Sequence, residues 1–185
     1  MLRRSPSALV ACLCLCSVLL AADASGVWLD VPFVKQQKDG CGSASVAMVM
    51  QYWLQQAGQA AGESADPQHI QRALYSSRAH GIYASDLERY LQQQGFQTFV
   101  FRGTWTDLRQ QLLKGRPLIV GLGTTAGSGP LHYVIVTGLD WELDLVLVND
   151  PAERKLLKRD RSSFEKQWQT AGNWVLLAVP QTAGR

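Results

Sequence analysis

Beyond its first sixteen residues the chain contains a single cysteine, Cys41; the other three, Cys12, Cys14 and Cys16, cluster near the N-terminus. A lone thiol cannot close an intramolecular disulfide, so once the N-terminal segment is removed a disulfide-stapled fold is excluded. Histidine is scarce too, with only His69, His80 and His132. Their separations from one another and from Cys41 show no ligand spacing, so no metal and no cofactor is expected. Charged residues are 18% of the chain and the formal charge is +3, which gives no electrostatic reason to expect nucleic acid or an anionic membrane as partner. Heptads, internal repeats and Gln/Asn tracts are absent, which leaves an ordinary globular protein.

Long apolar runs are missing as well. The longest, Ser7 to Ala22, covers sixteen residues, short of the roughly 20 that span a bilayer. It follows Arg3 and Arg4 and ends at Ala22-Asp23-Ala24, an A-x-A-like cleavage site. Residues 1–24 are therefore expected to be a signal peptide cleaved after Ala24. The mature chain would be periplasmic or secreted, with no stable membrane insertion. An uncleaved N-terminal anchor is the alternative, and lipidation at Cys12 within Leu9-Val10-Ala11-Cys12 is a weaker one, because most of the apolar run follows Cys12. Cleavage would remove Arg3, Arg4 and Asp23 and take the formal charge from +3 to +2.

What remains suits one domain with a real core, 27–180, and a short C-terminal tail, 181–185. Val31–Val34 reads as a short extended strand. From Gly42 an apolar stretch with few polar faces predicts a buried helix. Residues 57–65 form a Gly/Ala linker. Asp66-Pro67 caps and starts a helix to about Ser76, Ser85 caps another that ends at Gly95, and Thr104 opens a third closed by Gly115. Strand-like runs cover 96–101, 117–122, 132–138, 144–149 and 174–179. Ser162-Ser163-Phe164-Glu165 has the form of a capping box for a short helix. Helices come mostly first and strands second, which predicts an α+β fold with an antiparallel sheet packed on the first helix.

The chemistry gathers around Cys41. A thiol at a helix N-terminus beside an imidazolium is favoured as the nucleophilic thiolate. Gly40 and Gly42 flank it, leaving room for a substrate carbonyl and freedom for the turn into the helix. His132 opens a strand after a Gly-rich loop, 121–130, where it can meet a helix cap. His69 and His80 read as solvated or structural. Asp150 ends the run Leu145–Asn149 and precedes Pro151. In a hairpin turning at Trp141–Asp144 it returns to the level of His132, since both residues are equidistant from 141; there it could orient the imidazole. Gln36, or its neighbour Gln37, could donate a side-chain hydrogen bond to an oxyanion, with the Cys41 backbone N–H as second donor. Lys155, Lys158, Arg159 and Arg161 form a basic cluster that reads as a solvated loop or helix start.

The segment Val31-Pro-Phe-Val-Lys-Gln36-Gln-Lys-Asp-Gly-Cys41-Gly42 resembles the opening of the C39 cysteine peptidases, papain-like domains known as double-glycine peptidases. His132-Tyr-Val-Ile-Val-Thr-Gly-Leu-Asp140, Val146-Leu-Val-Asn-Asp150-Pro151, Phe164 and Trp168 extend the resemblance over nearly all of 31–179. It implies a papain-like cysteine peptidase acting on a peptide or protein. Cys41 would be the nucleophile, His132 the base and then acid, Asp150 its orienting partner and Gln36 the oxyanion-hole residue. Ser43 departs from the proline common in the family. The transporter spans and P-loop fused to the best-known members are missing, so the substrate need not be a Gly-Gly leader. An amidase or acyltransferase with the same residues is the second reading. A non-catalytic binding module is the third, and the complete set of residues argues against it.

Overall fold

The computed structural model describes residues 25–123 and 130–181. The expected signal peptide, Cys12, the 124–129 part of the Gly-rich loop and 182–185 of the tail lie outside the described residues. Among the described residues five α-helices pack on one antiparallel sheet of seven strands: β1 (Gly26–Trp28), α1 (Cys41–Gln56), α2 (Pro67–Leu74), α3 (Ala84–Gln93), β2 (Phe96–Arg102), α4 (Trp105–Leu113), β3 (Leu118–Leu122), β4 (His132–Asp140), β5 (Leu145–Asn149), β6 (Leu157–Asp160), α5 (Arg161–Thr170) and β7 (Trp174–Pro180). The strand order is β2-β7-β3-β4-β5-β6, with β1 added to β4 where β3 has ended. That addition is close. A Cβ on Gly26 would lie 2.4 Å from the Leu139 carbonyl, and one on Gly138 would lie 2.5 Å from that of Val27.

The central strands are apolar on both faces because both faces are covered. Ile119, Tyr133, Ile135, Leu176 and Ala178 pack with α1 and α3. Their alternate neighbours Leu118, Val120, Val134, Val136, Val175 and Leu177 pack with Leu108 and Leu112 of α4 and Phe164 and Trp168 of α5. This is the period-two alternation of a strand, applied to two cores. α1 is buried without a break from Gly42 to Met50. Each large apolar side chain it buries contributes about 1.5–3 kcal/mol, which fixes the start of α1 firmly against the sheet.

Several boundaries differ from the sequence expectation. Val31–Val34 is not a strand; the short strand lies earlier, at β1. Pro32 has no N–H to give a ladder, and the carbonyl of Val31 instead accepts from Nδ2 of Asn149 at 3.1 Å. The Gly/Ala linker contains a 3-10 turn, Glu63–Ala65, whose Ala65 is buried. α3 starts one residue before the expected Ser85 cap, with Tyr83 at its N-cap and no side-chain capping bond. α5 is capped by Asp160, which accepts from the Ser163 N–H at 2.8 Å, and not by Ser162. The strand β6, which the sequence reading left as part of a solvated basic loop, pairs with β5. Among the described residues no helix is long and apolar enough to cross a membrane.

Candidate active site

The approach to α1 is set by a tight turn. Gly40 N–H donates to the Gln37 carbonyl at 3.0 Å, and Ala44 N–H closes the first helical bond to Gly40. The left-handed conformation in this turn falls on Asp39, with φ 55°, and not on the flanking glycines. Gly42 is needed for packing: a Cβ there would meet Leu87 at 3.2 Å and Ile82 at 3.3 Å. Gly40 offers the helix no side-chain cap, so the positive end of α1 is left for whatever occupies the space beside Cys41. Ser43 Oγ lies 3.0 Å from the Gly40 carbonyl and 2.8 Å from Gln71 Oε1 of α2, which braces the turn from below.

Cys41 is a free, half-buried thiol at the first position of α1. Its S–H faces the Leu131 carbonyl at 3.9 Å, one residue before His132. His132 is the first residue of β4, paired in the ladder with Leu122. Its Nε2 lies 2.7 Å from Oδ1 of Asp150. With Nε2 committed to Asp150, Nδ1 is the ring nitrogen left for the sulfur.

The hairpin that brings Asp150 back is not symmetric about Trp141. The ladder pairs Ile135 with Asn149, shifts at a bulge between Val136 and Gly138, and then pairs Asp140 with Leu145. His132 and Asp150 are therefore not ladder partners. Asp150 stands just past the end of β5 and reaches His132 by its side chain. Its Oδ1 also accepts from the Ala152 N–H at 3.0 Å, and its backbone N–H donates to the Arg154 carbonyl at 3.1 Å. That Asx-type turn, built on Asp-Pro, aims the carboxylate.

Electrostatics couple the three groups. Burial by itself would lower the His132 pKa, but hydrogen bonds to Asp150 and Cys41 and their negative charge outweigh it and push it up to about 9. Burial would likewise raise the Asp150 carboxyl; the bond to His132, the imidazolium charge, the Ala152 N–H and Arg159 together hold it below its ordinary value. The site thus favours the charged form of the His132 imidazole.

Of the two glutamines, Gln37 is exposed and Gln36 half-buried. Gln36 N–H donates to the Pro151 carbonyl at 2.9 Å, which ties its segment to the residue after Asp150. Gln36 Oε1 is buried and has no hydrogen-bond partner. His69 pairs with Glu63 at 3.1 Å near the surface. His80, exposed and with φ 48°, borders the cavity that holds Cys41. This cavity, about 360 Å3, has an apolar wall of Ile82, Leu131 and Tyr133. A second cavity of about 460 Å3 lies against His132 and Asp150 and is lined by Glu153, Arg159 and Gln167.

A family model, described as the Peptidase_C39 like family, matches residues 28–175. The chain belongs to this family. Its class of activity is that of a cysteine peptidase, and its fold is the expected α+β, papain-like one. The C39-like chain is similar to a C39-like peptidase from Bacillus anthracis, at 18% identity and TM-score 0.64, covering 85% of this chain and 98% of that one. The peptidase domain of Streptococcus ComA, a bifunctional ABC transporter of a quorum-sensing pathway, gives 20% identity and TM-score 0.62 over 80% and 97%. A double-glycine-motif protease of an AMS/PCAT transporter, solved with its leader peptide, gives 19% and 0.61 over 84% and 95%. Among curated proteins none matches the chain.

Two residues of this C39-like site went unread in the sequence. Asn149 is fully buried, with Nδ2 on the Val31 carbonyl and Oδ1 accepting from the Leu156 N–H at 2.9 Å. It pins the segment leading to Gln36 against the end of β5. The Asn-Asp-Pro triplet was a visible signal, read only for its aspartate. Arg159, taken for a solvated member of the basic cluster, points inward and pairs with Asp150 at 3.1 Å.

Proposed function

We propose that this chain is an exported peptidase that hydrolyses a peptide bond through Cys41, His132 and Asp150. The observation that carries the reading is an imidazole whose Nε2 lies 2.7 Å from the Asp150 carboxylate and whose charge is favoured by Cys41, the residue at an uncapped helix start. The Cys41 thiolate adds to the scissile carbonyl carbon. The oxyanion that forms accepts from the Cys41 backbone N–H and from the Gln36 side-chain amide, whose segment leads into the same turn. The His132 imidazolium gives its Nδ1 proton to the departing amine, the C–N bond breaks, and a thioester on Cys41 remains. Water then gives a proton back to His132 as its oxygen attacks the thioester, and the acid product and thiolate are released. Asp150 holds the ring in register through both steps.

A peptide substrate fits this chemistry, and export follows from the character of residues 1–24. The test is a panel of fluorogenic peptides run beside cell-wall fragments, with the protein and its Cys41→Ala variant. Cleavage of peptides that vanishes in the variant is expected. Turnover of cell-wall amides alone would assign the amidase reading, and equal turnover by the variant would remove Cys41 from the chemistry.

A further inference from the structure

β6 is an edge strand of four residues, Leu157-Lys158-Arg159-Asp160, whose side chains alternate in and out. Lys158 and Asp160 face solvent, whereas Leu157 and Arg159 turn toward the layer that holds α5. A guanidinium directed inward costs desolvation unless its N–H groups are matched. Here they are. Nη2 donates to Asp150 Oδ2 at 3.1 Å and to Glu153 Oε1 at 3.3 Å, and Nη1 donates to Gln167 Oε1 of α5 at 2.8 Å. The Arg159 side chain is 19% exposed and the Asp150 side chain 2%.

The division of labour on the carboxylate is the point. Oδ1 serves His132 and the Ala152 N–H; Oδ2 serves Arg159. We propose that Arg159 is a positioning residue of the site, holding Oδ2 of Asp150 so that Oδ1 stays on His132 Nε2 and the ring stays against Cys41. This inference rests on the Cys41–His132–Asp150 reading above. Arg159 never meets the substrate. It acts through Asp150, as an orienter of the orienter. A planar guanidinium suits this task because its fork presents separate nitrogens to Asp150 and Gln167, whereas an ammonium must reach both from one nitrogen. Its charge is also among the causes that keep the Asp150 carboxyl below its ordinary value. An inward charge on an edge strand also guards against edge-to-edge pairing, so the test must separate positioning from that structural role.

The readout is the rate at which iodoacetamide alkylates Cys41, measured from pH 6 to pH 10, which needs no knowledge of the substrate. The titratable groups facing His132 are Cys41 from α1 and Asp150 after β5; Arg159 from β6 faces Asp150, with Glu153 on its exposed side. Wild type should react at pH 6 far faster than free cysteine. Arg159→Gln should react at least fivefold more slowly than wild type at pH 6, and the gap should close near pH 10, where the thiol no longer needs the imidazolium. Arg159→Lys should recover part of the loss. Lys158→Gln, which removes an outward charge from the same strand, should match wild type. Arg159→Met keeps the bulk without the charge and should behave as Arg159→Gln.

Arg159→Gln within twofold of wild type at pH 6 would overturn the positioning role. Equal slowing at pH 6 and pH 10, or loss of fold in both the Gln and Met variants, would assign Arg159 a structural role instead. If wild-type Cys41 reacts no faster than free cysteine at pH 6, it is the triad reading that fails, a result distinct from these.

Discussion

On the Cys41 side of His132 the chain presents a cavity walled by Ile82, Leu131 and Tyr133, at the start of a helix buried through its first turns. On the Asp150 side it presents a carboxylate, a guanidinium and two further polar side chains joined by hydrogen bonds of 2.7–3.3 Å. The first side leaves space beside an apolar wall, where developing charge is screened less than in bulk water. The second leaves little freedom and fixes the ring. On the proposed mechanism, the difference teaches that reactivity and orientation would be built by separate parts of the fold, the helix layer and the β5–β6 end of the sheet, with one imidazole joining them. Damage to the two sides should therefore look different.

Removing the sulfur should cost activity and little else. Cys41→Ala is expected to lower kcat by ~10³-fold or more, the scale seen when a nucleophile is deleted. Its thermal unfolding should fall only slightly, because the half-buried sulfur makes one weak hydrogen bond and packs at the edge of the core. A large loss of Tm would mean that the two sides are not separable. Asp150→Asn should cost both. The imidazole loses its charged partner, which takes kcat down by ~10²-fold or more, and the inward Arg159 loses its counter-charge at a cost of about 3 kcal/mol in unfolding free energy. Denaturant titration beside steady-state kinetics checks the pairing of effects.

The glutamines give a smaller contrast. Gln36→Ala should reduce kcat by about 10²-fold, the usual price of one oxyanion donor, without loss of stability, since its buried Oε1 has no partner to forfeit. Gln37→Ala should change kcat less than twofold. The reverse ranking would move the donor to Gln37. Acidity and alkalinity should probe the sides in opposite directions. The folded pKa of His132 is raised from 6.5 to about 9, so the stability it contributes is fully present below pH 6.5 and is lost as pH rises through 9. Asp150 is held below its ordinary value of 3.8, so its share is present above that pH and is lost as pH falls below it. Both describe one interaction seen from its two ends. Cys41→Ala should weaken the alkaline loss, since negative charge on Cys41 is one of its causes, and Asp150→Asn should weaken it further.

Much of the helix side was legible in the sequence. An apolar run of nine residues is long for a strand and reads as a buried helix, and the Gly-Cys-Gly start placed Cys41 at its head. His132 and Asp150 were legible as a strand start and an Asp-Pro turn, although the hairpin that brings them together is offset by a bulge next to Gly138, whose place inside a strand was the one sign of it. The polar side was harder to read. β6 has one large apolar residue in four, so neither its pairing with β5 nor the inward turn of Arg159 leaves a periodic trace. The start of α5 was misread because two patterns overlap, Asp160 to Ser163 and Ser162 to Glu165, and the end of β6 selects the first. Val31–Val34 has the composition of a strand but was claimed by Asn149, a contact 118 residues away in sequence. Local signals describe elements well; side chains that join distant elements carry no local signal.

The central claim is that a bond forms between Cys41 and the acyl half of a substrate. Acid quench during turnover of a cleaved peptide ester, followed by intact-mass measurement and mapping of the adduct, tests it directly. The account predicts a thioester on Cys41, removed by hydroxylamine and missing in Cys41→Ala. Turnover with no adduct on Cys41, or an adduct on any other residue, would contradict it.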